Sequence, residues 1–377
     1  MPRTAPSAPR RSKSWACSRR AGICLMAVDT TAVAGTCVRR ARFYPEFNMS
    51  SAITKAEREW EGLRQVYREH EFASVHHGDR PDFVLCRQGT DTEFGVEVTE
   101  LYETEADARA HIHPDYIPQL LSGSRHMHKD DVSVLNVERV QLLDKAGNVK
   151  ATSLPAIVRE LPAAREHTGA IVELLRRKTA QARGYRHGLS HVNLLIVDRI
   201  GTQRPGGASY STNELLVPEL KEALVSSPFR EVFLVSMDHD WRVYRPLQML
   251  LLLEAFELFL GALEAFEVDA PALEIADVVP LFVHTVNTMG SELRLAKLEN
   301  DSHCAVYRGC GIRLTPDKVG VLDFADHDLP PPAPTPAALW SAETISAFIQ
   351  HHASFAVANA FIVGLAIPAV VDGVDTR

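Results

Sequence analysis

Residues Pro81–Thr99 read PDFVLCRQGTDTEFGVEVT. Two β-rich runs, Phe83-Val84-Leu85 and Phe94 to Thr99, flank the turn-forming stretch Arg87-Gln88-Gly89-Thr90-Asp91, so the segment reads as a hairpin. Side chains alternate along a strand, which puts Glu97 and Thr99 on one face and turns Val96 and Val98 toward a core. Asp82 stands at the start of the first strand and Glu97 lies in the second. Two carboxylates projecting from adjacent strands of one hairpin suit a hard cation. Mg2+ takes oxygen ligands and is often held by one or two carboxylates, with water completing its shell.

Upstream, Ile53, Trp60, Leu63, Val66, Tyr67 and Phe72 recur at helical spacing among charges, predicting an amphipathic helix over Ser51–Phe72. Downstream, a long segment of about Glu103 to His167 has no clear period and reads as an insertion. Ala170 to Gly184 is helical by period, and HVNLLIVDRI (His191–Ile200) has the unbroken apolar run of a strand buried on both faces. A helix-like stretch, Asn213–Val225, leads to a second such strand, Glu231–Met237. The order helix, hairpin, insertion, helix, strand, helix, strand is an α/β plan with a mixed sheet. The strongly apolar Leu247–Phe266 carries Glu254, Glu257 and Glu264 at near-helical spacing, which marks a core helix rather than a bilayer span.

Pro81-Asp82 followed by Glu97-x-Thr99, set in this order of elements, resembles the PD-(D/E)XK nuclease-like superfamily. The resemblance covers about Glu57 to Asp198 and departs at Thr99, where the family has lysine. A known variation moves the lysine onto the following core helix, and Lys178, with Gln181 three residues on and Tyr185 beyond, matches it here; residues three apart share a helix face. The resemblance implies a restriction-endonuclease-like mixed β-sheet core flanked by helices, with a C-terminal helical extension. It implies Mg2+ (or Mn2+) held by Asp82 and Glu97, with Glu57 or Glu61 of the first helix as auxiliary ligands. Lys178 would steady the nucleophile or the developing charge, Gln181 would support it, and the reaction would be metal-assisted hydrolysis of nucleic acid. The expected partner is nucleic acid, DNA ahead of RNA. The reading requires the Asp82 and Glu97 carboxylates to share one face of the sheet.

Charge argues the other way. The chain of 377 residues has a formal net charge of −8. Residues 1–45 contain nine Lys or Arg and one acid, Asp29, leaving −16 for the remainder. Affinity for a phosphate backbone rests on Lys and Arg, so an acidic body is a handicap for polyanion binding. Arg125, Arg176, Arg177, Arg183 and Arg186 are the candidates for a basic groove. The competing class is a non-catalytic nuclease-like scaffold that binds a protein partner through the 247–266 helix.

The remaining features divide the chain into a core over 49–240 and flanking parts. Residues 1–48 read as a disordered arm or a start assigned too early, with Met49 as the initiator. Residues 241–328 read as a helical or mixed extension, 329–336 (LPPPAPTP) as a proline-rich linker, and 337–377 as an apolar tail. Within that tail, Ala353–Val371 is nineteen uncharged residues, but Ser354, Asn359 and Pro368 weaken a membrane reading. The six cysteines form no CxxC pair and read as reduced thiols of a cytoplasmic protein. His111, His113, His126, His128, His187 and His191 read as loop or surface histidines rather than zinc ligands. GTQRPGG (Gly201–Gly207) lacks the lysine and hydroxyl of a phosphate-cradling loop.

Overall fold

The computed structural model describes residues 40–42, 54–143, 149–159, 163–200, 215–238, 241–266, 273–298, 302–316, 318–324, 329–334 and 340–358. The chain divides into two compact units, residues 1–48 with 117–160, and residues 49–116 with 161–377. In the first unit β1 (Arg40–Arg42), β5 (Val137–Leu143) and β6 (Val149–Arg159) form an antiparallel sheet with β6 central. Most of what reads as an insertion is therefore this unit. Of the basic arm, 40–42 pair as a strand, and 1–39 and 43–48 lie outside the described residues.

The second unit is mixed α/β. Its elements begin with α1 (Lys55–Val66), β2 (Phe72–His77), β3 (Phe83–Arg87), β4 (Glu93–Leu101) and α2 (Glu105–Ile112). The chain then passes into the first unit, which holds the short helices α3 (Tyr116–Leu121, from Ile117 on) and α4 (Asp131–Val134). The second unit resumes with α5 (Ala164–Gln181), β7 (Val192–Asp198), α6 (Pro218–Ser226), β8 (Val232–Asp238) and β9 (Trp241–Pro246). A six-stranded sheet has the order β2-β3-β4-β7-β8-β9. β4, β7 and β8 run parallel, and the outer pairs are antiparallel.

Alternation along these strands sorts two cores. Phe83, Leu85, Val96, Val98, Leu195, Val197 and Val235 meet Leu63 of α1 on one face. Leu194, Ile196, Val232 and Leu234 meet Ile171, Leu174 and Leu175 of α5 on the other. Gly62 lets α1 sit close, because a Cβ there would stand 2.9 Å from Val197. Both faces are covered, which is why the central strands are continuous apolar runs.

The expected helix over Ser51–Phe72 ends earlier. Tyr67 turns extended, a 3-10 turn spans Glu69–Glu71, and Phe72 begins the edge strand β2. The boundary expected at 240 is absent as well. β9 is the sixth strand, and α7 (Leu247–Ala265), α8 (Ile275–Thr288) and α9 (Ala342–Ala358) share the α5-side core. A second antiparallel sheet runs β10 (Arg294–Lys297), β11 (His303–Tyr307), β12 (Cys310–Thr315), β13 (Lys318–Asp323).

The proline-rich stretch is no bare linker. Pro332 bridges Ala296, and Ala333 donates its N–H to Leu295 at 3.0 Å, adding an edge to β10. α7 buries Leu251, Leu252, Ala255, Phe256, Leu258, Phe259 and Ala262 in this core, and Met249, Leu250, Leu253, Leu260 and Leu263 are partly buried against it. Among the described residues no helix is long and apolar enough to cross a membrane, and 359–371 of the apolar tail lie outside them.

Candidate active site

The β3–β4 register pairs Phe83 with Val96, and one step further along it Asp82 stands opposite Glu97. Glu97 belongs to the face covered by α5, since Val96 points to the α1 face, and Asp82 stands just before β3, near enough for the charges of Glu97 and of Glu59 on α1 to act on it. The Arg80–Pro81 peptide that leads into this position is cis. Gly95 leaves room for Pro81, whose Cγ would lie 2.6 Å from a Cβ there. Asp82 is 4% and Glu97 6% exposed. The Val98 N–H donates to Asp82 Oδ2 at 2.8 Å, tying the carboxylate to the neighbouring strand.

Lys178 follows Leu175 by three residues and so stands over the same face of α5 that seats the helix on the sheet. Its Nζ donates to Glu97 Oε1 at 2.6 Å, closing a contact between residues 81 apart in sequence. Glu97 Oε2 is buried and has no hydrogen-bond partner among the described residues. Burial, then the Glu97 charge, push Asp82 up to about 6 against the pull of the Val98 N–H, and Glu59 adds to the rise. Burial, the Glu97 and Asp82 charges and an interaction of its hydroxyl with Glu97 raise the Tyr185 phenol, which stands beside Glu97 outside good hydrogen-bond geometry.

The first helix contributes a different acid from those expected. Glu57 closes the capping box of α1, accepting from Thr54 N at 2.7 Å, and it is held below the usual carboxylate range by the Thr54 backbone and hydroxyl. Glu61 pairs with Arg199 at 3.3 Å and is half exposed. Neither is brought to Asp82 and Glu97. Glu59, half a turn away, is the buried carboxylate whose charge reaches Asp82. Its oxygens are already bonded, Oε1 to Lys55 at 2.9 Å and Oε2 to His77 Nε2 at 2.8 Å. A sequence signal existed: Glu59 precedes the core residue Leu63 by four positions, which places it on the inward stripe.

Gln181 is exposed in the last turn of α5, and no hydrogen bond joins it to the carboxylates. Of the arginines named for a groove, Arg176, Arg177 and Arg183 are exposed, Arg186 pairs with Glu93 at 2.8 Å, and Arg125 belongs to the other unit. Two cations whose charge reaches these groups were missed. Lys55 is raised, by its Glu59 hydrogen bond first and then against burial by the charges of Glu59, Asp82 and Glu97; Arg80 acts on Tyr185. Cys86, Cys304 and Cys310 are free thiols.

Among the described residues no group of three or more His, Cys, Asp or Glu side chains is placed to hold a metal ion. The site is a pair of carboxylates and a lysine. Comparison with family models, with curated proteins and with solved structures finds no match to this chain.

Proposed function

We propose that the chain is a divalent-metal-dependent phosphodiesterase acting on nucleic acid, with a restriction-endonuclease-like core of the PD-(D/E)XK type. The observation that carries the reading is the approach of Lys178 Nζ to 2.6 Å from Glu97, beside a buried Asp82 carboxylate that the Glu97 charge raises. The donor set suits Mg2+ or Mn2+. Glu97 Oε2 is a buried carboxylate oxygen without a hydrogen-bond partner among the described residues, and burial, then the Glu97 charge, raise Asp82 to about 6. Two protein carboxylates are a normal share of a Mg2+ shell, with water and substrate phosphate taking the remainder.

A bound divalent ion would supply an activated water and charge neutralisation at the phosphate. Asp82 and Glu97 orient and hold it, and the Val98 N–H fixes the Asp82 rotamer. Lys178 is held by Glu97 where it can meet charge developing on a phosphate oxygen, and its ammonium needs no reorganisation to do so. Lys55 adds positive charge near Asp82 and Glu97, and Arg80 near Tyr185. The test is cleavage of single- and double-stranded DNA and of RNA with Mg2+, Mn2+ or chelator. Metal-dependent cleavage lost by about 100-fold or more in Asp82→Ala and Lys178→Ala is expected, the scale seen when one preorganised charge is removed. Wild-type protein that cleaves none of these polymers, or variants as active as wild type, would overturn it.

A further inference from the structure

Helix α9 packs on α7 through an aromatic layer. Phe348 is fully buried, and Phe355 fits over Gly261, where a Cβ would stand 3.2 Å from its ring. Inside this layer His352 is 1% exposed, with ring centroids 6.4 Å from Phe259 and 6.1 Å from Phe348. Neither its Nδ1 nor its Nε2 has a hydrogen-bond partner among the described residues, and the same holds for Nε2 of the adjacent His351. His351 lies against Phe266 at 5.1 Å. A neutral imidazole already gives up hydration here, and an imidazolium would give up far more.

We propose that His352 makes the docking of α9 on α7 acid-labile: protonation of this imidazole releases the helix locally while the six-stranded sheet stays folded.

The groups around it offer the cation nothing. On α7, Glu254 is bonded to Lys221 at 2.7 Å, and Glu257 and Glu264 are exposed. On α9, Glu343 is exposed near the opposite end. The charge that acts on His352 is that of His351, and it opposes protonation. The phenylalanine faces attract a cation only weakly compared with the loss of its water. Burial, with His351 adding, lowers His352 to about 4 from 6.5.

The sign follows from linkage. A histidine depressed in the docked state and ordinary in the released state favours docking fully above about 6.5, and that support is lost as pH falls toward about 4. Between pH 7.5 and 5.0 the equilibrium for α9 opening rises by about 30-fold on these two values.

Hydrogen exchange of the full chain tests this, with intrinsic exchange rates corrected for pH. Peptides spanning 342–358 report α9, and peptides spanning Val192–Asp198 of β7 serve as the internal reference. Wild type is expected to lose protection in α9 by about 30-fold from pH 7.5 to 5.0 while β7 is unchanged. His352→Phe is expected to keep α9 protected at both pH values, with His352→Leu as the second variant should the phenylalanine overpack. His351→Gln is expected to retain the pH response. Unchanged α9 protection in wild type, the same acid response in both His352 variants, or β7 loosening in step with α9 would each overturn the proposal.

Discussion

Glu97 and Glu231 are two carboxylates buried beside the same sheet, at 6% and 2% exposure, and they are treated differently by their surroundings. Glu231, just before β8, has both oxygens fully engaged. Oε1 accepts from Val232 N at 2.9 Å and Gln248 N at 2.7 Å; Oε2 accepts from Met249 N at 3.2 Å and the Cys310 thiol at 3.4 Å. It caps the first turn of α7, whose aligned N–H groups favour negative charge, while burial pushes Glu231 up to about 7 against them. Glu97 has Oε1 on Lys178, and Oε2 has no hydrogen-bond partner among the described residues although the Tyr185 hydroxyl stands nearby. A carboxylate that holds a fold together is saturated with backbone donors. One that is left half-engaged at a cost in desolvation is available to a ligand.

The contrast breaks most visibly in stability. Glu231→Ala leaves three backbone N–H groups without this acceptor in a buried position, and we expect a loss of about 3–5 kcal/mol, from about 1–3 kcal/mol for each buried donor left unsatisfied. Chemical denaturation at pH 8.5, above the value of about 7 to which burial pushes Glu231, measures it. A loss under about 1 kcal/mol would mean that the capping contacts contribute little net energy.

Asp82→Asn should move the other way. The amide keeps an oxygen for the Val98 N–H and removes a charge that burial and Glu97 oppose. A carboxylate raised in the fold, from 3.8 to about 6, costs the native state stability as pH rises through that window and continues to cost it above. The substitution is therefore expected to add about 1–3 kcal/mol at pH 8, discounted for partial solvent access, and to flatten the pH 4–6 part of the stability profile. The same variant should lose any cleavage activity. A destabilised Asp82→Asn at pH 8 would show that the site is not strained by its charge.

Added Mg2+ sharpens the comparison further. At tenfold above its dissociation constant it should stabilise wild type by about 1.4 kcal/mol and leave Glu97→Gln unmoved, read as a thermal shift. An equal shift in both would place the ion elsewhere.

The parts of this arrangement visible in the sequence are those with a periodic signature. β7 and β8 show as unbroken apolar runs because both faces are covered, and the β3–β4 hairpin shows through its turn and its alternation. Lys178 was recoverable because Leu174, Leu175 and Ile171 mark the inward face of its helix. β2, with sequence FASVHH, was not, since an edge strand half open to water needs no apolar alternation. The strands β10 to β13 are four to six residues long and were lost for lack of length. The first-helix acid was misplaced because a buried carboxylate carries no hydrophobic mark. Glu57 and Glu61 look like a pair at four-residue spacing, whereas the geometry uses Glu59 between them.

That misplacement yields the smallest expected effect and the one that best isolates a helix face. Glu61→Ala removes an exposed pairing with Arg199, which keeps Glu100 at 3.1 Å, so stability should change by no more than about 0.5 kcal/mol and the Mg2+ shift should be unchanged. Glu59→Gln, two residues away, removes a charge that raises Asp82 and that holds Lys55 and His77. It should lower the pH at which Asp82 titrates in the fold, so that the stability loss on raising pH is complete at a more acidic pH, while Glu61→Ala leaves that end point where it is in wild type. If Glu61→Ala moves the end point and Glu59→Gln does not, the inward face of α1 is the one that carries Glu57 and Glu61, and the first-helix acid at the site would have to be reassigned.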